Sequence, residues 1–156
     1  MLAAMSTLKV RISDTMKTSM KSGDKETLAY VRNLHAAVRK KEIDDRVDLD
    51  DAGIQKIVQS LVKQRQDSIE QFKAGGRLDL VGNEERELAF LMSFLPTQMT
   101  DAELLTLAAA AVLEAQAKEA KDMGKVMKIL MPQVQGKADG KRIQAAVQQA
   151  LQNSAS

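Results

Sequence analysis

Two short segments near the C-terminus combine glycines and cations at positions where a helix would begin. Asp122 and Asp139 are good N-cap residues, because a short carboxylate accepts from the free N–H groups of the next turn. Each is followed within two residues by a glycine, Gly124 and Gly140, and then by Lys125 and Lys141, with Arg142 behind. A cation in the first turn faces the positive end of the helix macrodipole, at a cost of a few tenths up to about 1 kcal/mol. Two helix starts with the same unfavourable choice point to an anion nearby. A phosphate fits, since free N–H groups and the dipole favour anions there. With Gly136 and Lys137 between them, the candidate phosphate contacts are Gly124, Lys125, Gly136, Lys137, Gly140, Lys141 and Arg142. The three glycines would let a ligand approach the backbone closely. Lysines near helix starts are also common on solvated surfaces, where salt screens their cost, so the residues alone leave both readings open.

Other chemistries find less support. Gly136-x-x-x-Gly140-Lys141 is one residue short of a phosphate loop, carries Arg142 where Ser or Thr would ligate magnesium, and follows no strand. His35 is the only histidine, and no carboxylate is expected beside it. A nucleophile elbow of the form Gly-x-Ser-x-Gly is absent, and a Ser-His-Asp arrangement would have to use His35. Asp44/Asp45 and Glu84/Glu85 are adjacent in sequence, so on a helix they face different directions. The acidic run Asp44, Asp45 and Asp48 lacks the glycine and bidentate Glu of a calcium loop. Without cysteine there are no disulfides and no thiolate sites. The expectation is no catalytic residue, no metal and no cofactor.

The elements that position these residues read as helices throughout. Hydrophobic residues make up 44% of the chain and aromatics 3%, so the core is aliphatic. Two prolines and abundant Ala, Leu, Lys, Gln and Glu point to an all-α fold. Apolar periodicity and capping signals predict helices over about 7–21, 25–41, 51–73, 79–95, 101–117, 123–131 and 140–151. The segment from Ile43 to Leu49 reads as a loop, and Asn153 to Ser156 as a fraying end. Met123, Met127 and Met131 form a stripe beside Val126, Leu130 and Val134; core packing is the simpler reading, an adaptable binding surface the alternative. Pro96, followed by the capping box Thr100 to Glu103, marks a boundary between two small bundles. They are residues 1–95, with about four helices, and residues 97–156, with about three.

Charge is distributed unevenly across that boundary. Residues 1–120 carry 17 Lys and Arg against 19 Asp and Glu, a net −2, while residues 121–156 carry 6 against 2, a net +4. The basic excess coincides with the glycine-rich segment and suits contact with a few phosphates. The apolar run Met1 to Met5 is too short for a signal-peptide core, and no stretch is long enough to span a membrane. These features lead to the expectation of a soluble, cytoplasmic protein with no membrane partner.

The run DMGKVMKILMPQVQGKADGKRIQAAVQQAL, residues 122–151, resembles the C-terminal signature of the GatB/YqeY family. Upstream, residues 15–43 and 63–104 are similar to the start and middle of stand-alone YqeY-like proteins, so the resemblance covers nearly the whole chain. It implies a helical protein whose C-terminal domain is similar to the tail of the B subunit of aspartyl/glutamyl-tRNA amidotransferase. In that enzyme the tail is understood to recognise the tRNA body, while catalysis belongs to other domains and subunits. The resemblance thus implies a non-enzymatic tRNA-interacting module. Scarce aromatics agree with phosphate and shape recognition rather than stacking on splayed bases. Two alternatives stand beside it. One is an accessory that acts only with amidotransferase subunits or an aminoacyl-tRNA synthetase, in carbon–nitrogen ligation with glutamine as amido donor. The other is a protein-interaction adaptor.

Overall fold

Four helices build the first part of the chain, and each boundary has a local cause. The structure, a computed structural model, describes residues 7–155, with side chains to residue 154, so the apolar run Met1 to Met5 lies outside the described residues. Helix α1 spans Thr7–Ser22 and α2 spans Lys25–Asp45. Between them Gly23 takes φ 75°, and Asp24 accepts from the Thr27 N–H at 3.1 Å to cap α2. Helix α3 spans Asp51–Ala74, capped by Asp50 through the Gly53 N–H, and α4 spans Leu78–Met92. Gly76, at φ 73°, reverses the chain between them.

Helix α2 runs a turn further than expected, into the stretch read as a loop. Lys40 pairs with Asp44 and Lys41 with Asp45, both at 2.7 Å and four residues apart, so the charged tail is held in helical register. Arg46 then ends the helix in the left-handed region at φ 54°. Helix α4 starts at Leu78, one residue before the expected start at Asp79, without a side-chain cap; Asp79 lies in the first turn and pairs with Arg77 at 3.0 Å.

The core of this unit, Met1–Leu95, is aliphatic apart from a few rings. Leu8, Ile12, Val31, Leu34, Val38, Ile54, Val58, Val62 and Leu91 are buried, each contributing roughly 1.5–3 kcal/mol. Tyr30, Phe90 and Phe94 make successive ring contacts, and Arg11 lies 4.4 Å over the Phe94 ring. On α1, Met20 is 61% exposed although it continues the four-residue apolar spacing of Leu8, Ile12 and Met16, and Ser19 takes the buried position.

The second unit, Pro96–Ser156, contains three helices. Helix α5 spans Asp101–Ala115, α6 spans Met123–Val134 and α7 spans Gly140–Ala155, with a single 3-10 turn, Ala120–Asp122, leading into α6. The capping box at Thr100 and Glu103 forms as expected, with bonds of 3.1 and 3.3 Å. Helix α5 stops two residues early because Gln116 turns left-handed at φ 53°, which delivers Ala117 into the core. Pro132 does not end α6. It sits in the last turn, where one lost backbone bond is outweighed by burial of Val134. Within this unit helices α5 and α7 share the most extensive contact, and Ala108, Ala111, Ala146 and Ala150 are all buried in the shared core. All described regular structure is helical, so the fold is all-α, as two helical units of four helices and three.

Candidate anion-binding site

The start of α7 is built from three pieces of chain. Asp139 caps it as expected: its Oδ1 accepts from the Arg142 N–H at 2.8 Å, while its carbonyl accepts from the Ile143 N–H at 3.0 Å. Before the cap, Gly136 turns the chain at φ 81°, a conformation that a side chain disfavours. Gly136 is buried, so its place in the sequence is explained by this turn and not by ligand approach. Its carbonyl accepts from Gln98 Nε2 at 2.8 Å, and the next carbonyl, of Lys137, accepts from the Met99 N–H at 2.8 Å. The lead-in to α5 is therefore laced to the loop before α7.

Arg142 completes the lacing. Its Nε and Nη2 lie 2.9 and 2.8 Å from Asp101 Oδ1, and Nη2 also donates to the Met99 carbonyl at 2.5 Å. Its charge is directed at α5 and the lead-in. Lys141 is exposed beside it, and Lys137 is half-buried with no ion pair among the described residues.

The start of α6 is made differently. Asp122 does not cap α6. Its Oδ2 turns back to accept from the Lys118 and Glu119 N–H groups at 3.0 and 3.3 Å, fixing the 3-10 turn. Those two backbone bonds, the Lys118 one first, hold its carboxyl below the usual range. The first-turn N–H groups of α6 thus have no side-chain cap. Lys125 stands 4.0 Å from Asp122, with its side chain 73% exposed.

Gly124 and Gly140 share one property. Both are exposed, neither has a positive φ, and a Cβ added to either would meet nothing within 4 Å. The two helix starts do not form one cluster along the chain. Gly124 and Lys125 stand at one end of α6 and Gly136 and Lys137 follow the other, with about 18 Å of helix between.

Elsewhere the chemistry is sparse. His35 is exposed, and no group of three potential metal ligands occurs among the described residues. The most perturbed carboxyl is Glu42, held near a pKa of about 2, first by a hydrogen bond from Lys9 and then by the Leu49 N–H. It serves the fold, tying α1 and the 46–50 loop to α2. Sequence reasoning missed Gln98, Met99 and Asp101 as partners of the glycine-rich segment, since the Asp101–Arg142 contact joins residues 41 apart.

A family model described as Yqey-like protein matches residues 9–151, which takes in parts of all seven helices and the whole glycine-rich segment. The chain belongs to the YqeY-like family. Three fungal relatives share the name "Altered inheritance of mitochondria protein 41, mitochondrial". That of Lachancea thermotolerans is 35% identical over 81 residues, 51% of this chain and 43% of the relative. That of Eremothecium gossypii is 33% identical over 85 residues, 54% and 46% of the two chains. That of Vanderwaltozyma polyspora is 32% identical over 81 residues, 51% and 44%. The matched segment spans less than half the length of each relative.

These names overturn the expected cytoplasmic location, since they place the YqeY-like relatives in mitochondria. The physical reason is plain: a short apolar run bears on the secretory route alone and does not distinguish the other compartments. Among the described residues no helix is long and apolar enough to cross a membrane.

Proposed function

We propose that this YqeY-like protein is a non-enzymatic RNA-interacting module whose second unit contacts the phosphates of a folded RNA, with tRNA as the ligand. One observation carries this reading. Gly124 and Gly140 lie in the first turns of α6 and α7, where no backbone strain and no neighbouring atom calls for glycine. Glycine costs roughly 0.5–1 kcal/mol against alanine inside a helix and less in the first turn, and nothing within the fold calls for it at either start. Close approach of a ligand is a cause outside the fold. The first-turn N–H groups of α6, which have no side-chain cap, and the adjacent cations Lys125 and Lys141 set the sign of that ligand as anionic.

The roles within the candidate set differ. Gly124, Lys125, Gly140, Lys141 and Lys137 face the ligand, Gly136 makes the turn, and Arg142 positions the α7 start through Asp101 and Met99. The similarity of the second unit to the amidotransferase tail supports tRNA over other polyanions.

Titration of tRNA with the wild-type protein and with a G124A/G140A double variant tests the reading. Alanine at open positions leaves the fold intact or firmer, so weakened binding with unchanged or raised stability is the expected result. Equal tRNA affinity of the two proteins would sink the proposal, as would no tRNA binding by the wild type.

A further inference from the structure

The exposed side of α6 carries more than its first turn. Lys121 in the 3-10 turn, then Lys125 and Lys128 in the helix, are all exposed and follow one another at spacings of four and three. Lys125 and Lys128, three apart on α6, share one side of the helix, and Lys121 stands just before it in the turn that leads in. The opposite side, Val126, Leu130 and Val134, is fully buried, so the row faces away from the core.

Two carboxylates stand near the row, Glu119 at 3.1 Å from Lys121 and Asp122 at 4.0 Å from Lys125, and they offset its charge only in part. Neither α6 nor α7 contains an Asp or Glu. The two acids beyond residue 120, Asp122 and Asp139, both have carboxylates accepting from backbone N–H groups. Lys128 makes no hydrogen bond or ion pair among the described residues. Lys121 meets Glu119 at 3.1 Å, but both side chains are well exposed, and such a pair exchanges readily for another anion.

A second observation narrows the ligand. All four rings of the chain, Tyr30, Phe72, Phe90 and Phe94, lie before residue 96, and so does His35. Residues 96–156 therefore have no aromatic side chain on which a base could stack, and their single arginine, Arg142, is turned to Asp101 and Met99. Proteins that hold single strands depend on such platforms. A duplex keeps its bases stacked internally and offers a ladder of phosphates at fixed spacing.

We infer that the row Lys121, Lys125 and Lys128 binds the phosphate backbone of a duplex segment of RNA, without reading its bases. The inference rests on the RNA-binding reading above and adds the face and the form of RNA recognised.

The test uses the full chain, two RNA hairpins with unrelated stem sequences, and an unstructured RNA of the same length. Affinities are measured from about 50 to 200 mM salt, for the wild type and for K121A/K125A/K128A. The expected result is equal binding of both hairpins and weaker binding of the unstructured strand. The variant should lose about tenfold or more in affinity at low salt, and its slope of log affinity against log salt should fall by about 2–3. Replacing the same three residues by arginine should restore both. If the wild type binds the hairpins and the alanine variant matches it in affinity and slope, the row is overturned while the RNA reading stands. A preference for the unstructured strand, or for one stem sequence, also overturns it. Failure of the wild type to bind any of the three RNAs sinks both readings.

Discussion

Arg142 and Asp101, 41 residues apart, are joined through one carboxylate oxygen that lies 2.8–2.9 Å from two guanidinium nitrogens. The same guanidinium reaches the Met99 carbonyl, so one side chain ties the first turn of α7 to the first turn of α5. An arginine at a helix start is adverse with respect to the dipole. Here the adverse placement is offset inside the protein, by a carboxylate and a carbonyl. Lys125, at the start of α6, has a looser arrangement, with Asp122 4.0 Å away and its own side chain 73% exposed.

Replacing Arg142 by alanine should therefore destabilise the protein, in contrast to replacement of a solvated lysine. Asp101 is 90% exposed, so the ion pair itself adds little, and the bond to Met99 carries most of the effect. A loss of about 1 kcal/mol in urea unfolding is expected. Arg142→Lys should not recover it, because an ammonium lacks the planar fork that reaches both partners. Unchanged stability of Arg142→Ala would remove the positioning role.

Glu42 sets an acid limit on stability. Its carboxyl titrates near 2 in the folded protein, against an ordinary value of 4.5, because it accepts from Lys9 and the Leu49 N–H. A carboxyl with a depressed folded pKa contributes stability that is complete above about 4.5 and lost as pH falls toward 2. The contribution is on the order of 2 kcal/mol. Thermal unfolding from pH 7 to pH 2 should show this loss in the wild type. Glu42→Gln should be less stable at pH 7 and flatter across that window, and identical pH profiles would refute the assignment.

What the sequence made legible here was local. Asp24, Asp50, Thr100 with Glu103, and Asp139 each cap within three residues of themselves, and all four were readable from residue type and spacing. Asp122 has the same signature yet turns backward, because the 3-10 turn before it offers two N–H groups at once. The last turn of α2 was hidden for a related reason: its acids look like loop residues until Lys40 and Lys41 are seen four positions earlier. Arg142 was legible as a cation and illegible as a clasp. Its partners are distant in sequence, and only the packing of α5 on α7 brings them together.

The lacing of the lead-in predicts where the second unit begins. Gln98, Met99 and Thr100 all bond to groups within residues 96–156, and none of these bonds survives in a chain that starts at Asp101. A fragment of residues 96–156 should fold alone with helical circular dichroism and cooperative melting. A fragment of residues 101–156 should melt at lower temperature, having lost the cap and three lacing bonds. Equal melting of the two would show that the lead-in contributes nothing, and an unfolded 96–156 fragment would mean that the unit depends on the rest of the chain.

Cations that pair along their own helix should contribute less to phosphate binding than the cations at the start of α7. Arg39, Lys40 and Lys41 form the densest basic run in the chain, yet they pair with Glu42, Asp44 and Asp45 at 3.3, 2.7 and 2.7 Å. With α2 extending to Asp45 they lie before its last turn, so these pairs and not the helix dipole hold them. Lys137 and Lys141 stand where the dipole of α7 opposes them, and Lys137 has no ion-pair partner among the described residues. A phosphate ligand should release counterions from the second pair and not from the first run. Changing Lys137 and Lys141 to alanine should lower the slope of log tRNA affinity against log salt by roughly 1.5, at about 0.7–0.9 per phosphate contact. Changing Arg39, Lys40 and Lys41 should leave the slope nearly unaltered while costing some helix stability, about 0.3–0.5 kcal/mol for each pair lost. If the two variants reduce the slope equally, binding follows general positive charge rather than the α7 start. If only the Arg39 variant reduces it, the candidate site lies in the wrong unit.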